Sequence, residues 1–149
     1  MFVVEEANIS DIERLTELLK LLFSTEAEFI PNTDAQKEGL KMILEDKRIG
    51  TIFVLKHEQK IIGMVSLLWT ISTALGGKVA LLEDMIIEPL WQKKGCGSLL
   101  LEHAISHARK VKCKRITLLT DDDNDRAHRF YERLGFVSSS MKPMRFIMD

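Results

Sequence analysis

The stretch Leu81-Leu82-Glu83-Asp84-Met85-Ile86-Ile87-Glu88-Pro89-Leu90-Trp91-Gln92-Lys93-Lys94-Gly95-Cys96-Gly97-Ser98-Leu99-Leu100-Leu101 changes its pattern midway. Up to Ile87 it is rich in branched and apolar residues, which predicts a strand over 79–87 that Pro89 stops. From Gly95 onward the apolar residues recur at helical spacing. Leu100, Leu101, Ala104, Ile105, Ala108 and Val111 share one face, which predicts a helix over 95–112. Between the two lies Gln92-Lys93-Lys94-Gly95-Cys96-Gly97. Glycines let a backbone take positive φ and approach a ligand closely. The helix start beyond them presents unpaired N–H groups and the positive end of a dipole. Lys93 and Lys94 add charge, so the loop suits a phosphate or pyrophosphate. An ordinary glycine-capped loop is the competing reading. A P-loop is excluded because no Gly-Lys-Ser/Thr follows at the required spacing, and the dinucleotide fingerprint lacks its third glycine.

Working outward, the upstream half predicts a short strand at 2–4, then a helix capped by Asn8 or Ser10. Ile12, Leu15, Leu18, Leu19 and Leu22 form that helix's apolar face. Pro31 interrupts. Thr33 with Gln36 three residues on makes a capping-box pattern, and a second helix ending near Asp46 should follow. Strands are expected at 52–55 and 61–73, joined to the next by a Gly76-Gly77 hairpin. Downstream of the central helix come a strand at 115–120, a helix at 125–134 closed by Gly135, and two short strands at 136–138 and 145–148. The order β-α-α-β-β-β-α-β-α-β-β describes an α/β protein with a mixed sheet and helices on both faces.

At 149 residues the chain has room for one domain, 1–149. Its 21 basic and 22 acidic residues leave a net charge of −1, so no global basic field draws it to nucleic acid or to an anionic membrane. The longest apolar stretch, 61–69, already contains Ser66 and falls short of the ~20 residues a membrane span needs. The N-terminus reaches Glu5-Glu6 without a basic region, unlike a secretory signal. Two cysteines, Cys96 and Cys113, make neither a disulfide framework nor a cysteine zinc cage, and the expectation is a cytoplasmic protein with free thiols and no metal. His103 and His107 have a metal-binding spacing, but they are expected on a solvated face opposite the apolar one. A helix start beside Cys96 could lower its pKa, but nothing in the expected chemistry needs the thiol. Trp69 and Trp91 read as core or interface residues.

The run Asn124-Asp125-Arg126-Ala127-His128-Arg129-Phe130-Tyr131-Glu132-Arg133-Leu134-Gly135-Phe136 carries a second constellation. Ala127, Phe130, Tyr131 and Leu134 share one helix face. Phe130 reads as a core aromatic. Tyr131 is the only tyrosine in the chain. A phenol of pKa ~10 can protonate a departing thiolate whose conjugate acid lies near ~8.5. The pair Glu83-Asp84 is a third. In a regular strand Leu81, Glu83, Met85 and Ile87 share one face, and Leu82, Asp84 and Ile86 the other. Two carboxylates in so apolar a strand are costly to bury without a role, unless the strand end opens to solvent.

These blocks resemble the GNAT superfamily of N-acetyltransferases. The family's cofactor loop, Gln/Arg-x-x-Gly-x-Gly/Ala, is matched at Gln92, Gly95 and Gly97. Its later block, Asn-x-x-Ala-x-x-Phe-Tyr-x-x-x-Gly-Phe, is matched at Asn124, Ala127, Phe130, Tyr131, Gly135 and Phe136. The sharp resemblance covers about residues 81–136. It implies acetyl-coenzyme A as donor and no metal. The amides of Lys94, Gly95, Cys96, Gly97 and Ser98 would hold the pyrophosphate, with Gln92 and Lys93 beside them. Main-chain groups of Met85, Ile86 and Ile87 would run along the pantetheine arm as an added strand, and Asn124, with Ala127 and Phe130 of its block, would border it. Tyr131 would protonate the leaving sulfur. The run Leu82-Glu83-Asp84 is similar to that of polyamine and amino-sugar-phosphate acetyltransferases, which makes Glu83 the first candidate base and Asp84 the second. Histone-type members place their base where this chain has Leu81. The implied acceptor is the primary amine of a small molecule (a polyamine, amino sugar, aminoglycoside or amino acid) that attacks directly in a ternary complex. The Met85 N–H would face the oxyanion. A homodimer is usual among similar proteins. An acyl-coenzyme A sensor without turnover, a peptide or protein N-acetyltransferase, and a nucleotide-binding module are the alternatives.

Overall fold

The computed structural model describes residues 1–23 and 32–148. The chain divides into two compact units, Met1–Leu119 and Thr120–Asp149.

The larger unit is built on a five-stranded sheet in the order β1-β2-β3-β4-β5. Its strands are β1 (Phe2–Glu6), β2 (Gly50–His57), β3 (Lys60–Ser72), β4 (Gly77–Ile87) and β5 (Ile116–Leu118). The first four pair antiparallel. β5 joins β4 in parallel after a helical crossover, as expected for a strand–helix–strand connection.

Helices α1 (Ile12–Phe23) and α2 (Thr33–Glu45) cover one face of the sheet. Their Leu15, Leu18, Leu19 and Leu40 pack with Ile52, Val54, Ile61 and Met64 from the strands. α3 (Cys96–Lys110) covers the other face with Leu100, Leu101, Ala104 and Ala108 buried, the helical stripe expected from their spacing. Arg14 pins α1 to the sheet. Its Nε donates to the Ile61 carbonyl at 2.9 Å and its Nη2 meets Glu88 Oε2 at 2.7 Å.

Local signals account for most element ends, and two of them act differently from their sequence reading. Asn8 caps a short 3-10 turn (Ile9–Asp11) in a capping box with Asp11. The α2 cap is Asn32, whose side chain accepts from Ala35 N at 3.1 Å. Thr33 is therefore the first helical residue, and the Thr33–Gln36 box does not form. One residue of shift carries Gln36 off the cap and into the interior, where it is 8% exposed.

The smaller unit holds α4 (Asp125–Arg133), capped by Asn124, whose Oδ1 accepts from Ala127 N at 3.1 Å. Gly135, at φ +104°, lets the chain turn so that Phe136 N bonds the Tyr131 carbonyl at 3.1 Å. The strands expected at 136–138 and 145–148 are not formed. Branched and apolar residues favour extended chain, but a strand exists only where a partner completes its ladder, and these short runs have none among the described residues. Val137, Phe146 and Ile147 are accordingly exposed.

Candidate functional site

The strand β4 is irregular where the sequence places its two carboxylates. Ser66 pairs with Glu83 and Met64 with Ile86, so two residues, Asp84 and Met85, lie opposite Val65 alone. This is a β-bulge, which bends the strand and re-aims its side chains. Asp84 takes φ +40°, a left-handed conformation that aspartate tolerates better than most residues. The bulge overturns the simple alternation of faces. Partners in a ladder share a face, so Glu83 and Ile86 both lie on the α1/α2 side with Ser66 and Met64. Ile86 packs against that core cluster. Asp84 lines a cavity between the same two helices. Ile87 points the opposite way, where its Cδ1 would stand 2.5 Å from a Cβ at Gly63, beside Leu100 of α3. Ser66, the ladder partner of Glu83, has a buried Oγ with no hydrogen-bond partner among the described residues.

β5 pairs with β4 only from Ala80 to Leu82 and ends at Leu118. Its ladder is three residues long, against the six expected over 115–120. From Glu83 to Ile87 the outer edge of β4 therefore carries no strand among the described residues. Open main-chain donors and acceptors are what an extended ligand needs to add itself to a sheet.

That edge leads into the glycine loop. Pro89–Trp91 forms one 3-10 turn, and Gln92 then reaches back to donate Nε2–H to the Ile87 carbonyl at 2.8 Å. Gln92 thus ties the loop to the strand end, a positioning role the spacing alone did not reveal. Lys93, at φ +63°, and Gly95, at φ +82°, turn the chain into α3. Gly95 is the cap and no side chain bonds the first amides, so those of Cys96, Gly97 and Ser98 are left for a ligand or solvent. A Cβ at Gly95 would meet nothing within 4 Å, so the approach to these amides is open. Lys93 and Lys94 are exposed, and Lys94 Nζ lies 5.3 Å from the ring centre of Trp91. Trp91 in turn packs on His57 at 4.5 Å and Phe2 at 5.6 Å, which fixes one wall of the loop. The cradle fits a phosphate-bearing ligand.

Two expectations about this region are corrected. The Cys96 thiol faces inward, 2% exposed, and burial raises its pKa, with Lys94 opposing only in part. Desolvation of the thiolate outweighs the helix start. Cys96 can offer the cradle its amide but not a reactive sulfur. His103 and His107 are not on a purely solvated face. Both rings stand 5.0 Å from Phe53 of β2, edge to face, at the margin of the α3 interface. Trp69 lies under Lys78 Nζ at 5.0 Å.

In the smaller unit Tyr131 is half-buried, its ring 5.1 Å from Phe130 and 5.6 Å from Phe136. Asn124 spends its Oδ1 on the helix cap. Phe130 and Ala127 share the half-buried face with Tyr131, as their spacing predicts. Glu26 and Glu28, acidic residues that would favour a cationic amine, lie outside the described residues.

The mixed sheet, with β4 unpaired on its outer edge from Glu83 to Ile87 among the described residues and leading to a glycine-capped helix, makes this an α/β protein. The chain belongs to the acetyltransferase (GNAT) family, whose model matches residues 12–136. It is 30% identical over 97 residues to the uncharacterized N-acetyltransferase YhfO of Bacillus subtilis (strain 168), a match covering 65% of this chain and 64% of that one. The chain therefore spans a little under two thirds of that relative. Its fold is similar to that of a possible acetyltransferase from Clostridium difficile 630, with TM-score 0.88 and 18% identity over 100% of this chain and 99% of the other. It is also similar to a Clostridium acetobutylicum protein described as a predicted acetyltransferase and solved with acetyl-CoA, with TM-score 0.81 and 15% identity over 98% and 96% of the two chains.

Proposed function

We propose that the chain is an N-acetyltransferase that moves an acetyl group from acetyl-coenzyme A to a primary amine of a small molecule. The observation that carries the reading is the run from the open β4 edge at Glu83 into the Gly95 cradle. The chain's membership of the GNAT family supports it, since an acyl donor with a pyrophosphate and an extended arm matches both halves of that run.

Each residue then has a task. The amides of Cys96, Gly97 and Ser98 and the cations of Lys93 and Lys94 bind the pyrophosphate. Main-chain groups between Met85 and Ile87 pair with the pantetheine arm, with the Ile87 carbonyl already shared with Gln92. Glu83 takes the proton from the incoming ammonium, directly or through a water held near Ser66. The Met85 N–H meets the negative charge developing on the thioester oxygen. Tyr131 is assigned by its sequence block to protonate the departing sulfur, and Asn124, having capped α4 with its oxygen, retains its amide N–H for the donor. Residues 1–149 act as one acetyltransferase domain, in the cytoplasm and as a homodimer.

The test follows coenzyme A release from acetyl-coenzyme A against polyamines, amino-sugar phosphates, aminoglycosides, amino acids and their amides, and peptide N-termini. Amine-dependent release with one class establishes transfer and names the acceptor class. Tight acetyl-coenzyme A binding with no release against any class rejects the enzyme in favour of an acyl-coenzyme A sensor.

A further inference from the structure

The β3–β4 hairpin reaches past the strands on both sides of it. β2 pairs with β3 as far as Leu68, and β5 begins opposite Ala80. The overhanging tip, Thr70-Ile71-Ser72-Thr73-Ala74-Leu75-Gly76-Gly77, contains no charged residue. Ile71 is 69% exposed and Leu75 41%. Part of the turn's polar backbone is tied inward. Ser72 Oγ accepts from Leu75 N at 3.1 Å, and the Ser72 carbonyl accepts from Gly76 N at 2.8 Å. Backbone groups already bonded to each other cost less to take out of water.

Cations surround this tip. Lys78 is the ladder partner of Ile71. The chain after α3 is stitched to the hairpin, with Lys114 N donating to the Lys78 carbonyl and Ala80 N to the Arg115 carbonyl, each at 2.9 Å. The Lys114 side chain runs beside Gly77, its Cε 3.0 Å from where a Cβ would stand. Arg109, Lys110 and Lys112 come just before, and the chain has no carboxylate between Glu102 and Asp121. None of these six cations joins an ion pair among the described residues. Cations in the last turn of a helix answer its dipole, which accounts for Arg109 and Lys110. It does not account for Lys112, Lys114 and Arg115, which lie beyond the helix. Lys112 takes φ +62° directly after the cap of α3, a position where glycine is the usual residue. All of these residues lie in the larger unit.

We propose that the hairpin tip and its collar of cations dock the protein on the surface of an anionic lipid bilayer. Ile71 and Leu75 enter the interface, and the cations meet the headgroup phosphates. Such binding adds apolar insertion to electrostatic attraction, and each cation near an anionic surface strengthens it by about fivefold. The attraction is local, since the whole chain carries a net charge of −1. The collar lies at the C-terminal end of α3 and the Gly95 cradle at its N-terminal end, so docking leaves the cradle open. A nucleic acid would use the cations but leave the apolar tip in water. The tip has no aromatic ring to stack a base, and Trp69 beside it lies under Lys78 Nζ. A second copy seated on the same face by two-fold symmetry would set cation against cation. A bilayer uses both the tip and the collar.

The test is co-sedimentation of the full chain with vesicles of phosphatidylcholine alone and of phosphatidylcholine mixed with phosphatidylglycerol. A single-stranded oligonucleotide is titrated in parallel. Binding to the anionic vesicles should exceed binding to the neutral ones by at least about tenfold and weaken as salt rises. Lys112→Ser with Lys114→Ser should weaken it by about 25-fold and reduce its salt dependence. Ile71→Ser with Leu75→Ser should weaken it by at least about fivefold and leave the salt dependence unchanged. Lys41→Ser with Lys60→Ser, two exposed cations away from the hairpin, should bind as the wild type does. Melting temperatures equal to the wild type show that each variant is folded, and the wild-type comparison of vesicles tests the proposal even if one is not. No binding to anionic vesicles, or equal binding to both kinds, overturns the proposal. An equal loss in the Lys41 and Lys60 pair overturns it in favour of unspecific charge attraction. Unchanged binding in the Ile71 and Leu75 pair overturns the insertion of the tip. Tighter binding of the oligonucleotide than of the anionic vesicles overturns it in favour of nucleic acid.

Discussion

Gln92 and Ile87 are joined across the strand-to-loop corner by a 2.8 Å hydrogen bond from Gln92 Nε2 to the Ile87 carbonyl. One residue of the cradle thereby sets the position of the open strand edge relative to the glycine loop. Gln92→Ala removes the donor and frees the corner. A part-buried hydrogen bond of this kind contributes about 0.5–1.5 kcal/mol. The expected result is a KM for acetyl-coenzyme A raised by roughly threefold to tenfold at nearly constant kcat, the pattern of lost uniform binding. A fall in kcat with KM unchanged would show that Gln92 acts in the transition state instead.

Glu83 and Tyr131 are assigned the two proton transfers. Glu83→Gln and Tyr131→Phe should each lower kcat by about 10²–10⁴-fold, the usual scale for general acid–base groups. Acetyl-coenzyme A affinity, measured by calorimetry, should change little in either. Equal losses of kcat and affinity in Tyr131→Phe would make it a binding residue.

Arg14 links α1 to β3 and to the end of β4 through the Ile61 carbonyl and Glu88. The Arg14 and Glu88 side chains are 24% and 19% exposed, so solvent screens them only in part. Lys60 Nζ also lies near Glu88, at 3.8 Å. Arg14→Ala should cost about 1–3 kcal/mol, because it leaves a half-buried carboxylate with a poorer partner. Thermal unfolding should show a melting point several degrees lower. Arg14→Ala with Glu88→Gln should recover part of the loss, and no recovery would mean that the Ile61 bond carries the effect.

His107 gives the protein a pH dependence of known sign. Burial lowers its pKa from 6.5, Glu6 opposes, and His103, Lys110 and Lys78 push the same way as burial. The unfolded chain therefore takes up the proton more readily than the folded one. The stability this confers is full above about pH 6.5 and declines as the pH falls through the unfolded value toward the folded one. Melting temperature against pH should drop on acidification below 6.5, and His107→Gln should flatten that part of the curve. An equal slope in the variant would assign the loss to other groups.

What the sequence by itself determined is the part whose causes are local. Element order, the apolar stripe of α3, the Gly95 cradle, the Asn124 block and the antiparallel-then-parallel sheet follow from periodicity and from residues that favour particular φ values. The short tail strands failed because a ladder needs a partner, which no local pattern supplies. Tertiary structure alone decided the geometry of the site. The β4 bulge arises from register against β3, and it moved Glu83 and Ile86 onto one face against the alternation their spacing suggested. The burial of the Cys96 thiol and the packing of His103 and His107 on Phe53 depend on proximities that only packing creates. Gln36 shows the difference most clearly. Its sequence neighbours placed it in a capping box with Thr33, but Asn32 caps the helix instead through Ala35 N, and packing leaves the Gln36 amide buried without a hydrogen-bond partner among the described residues.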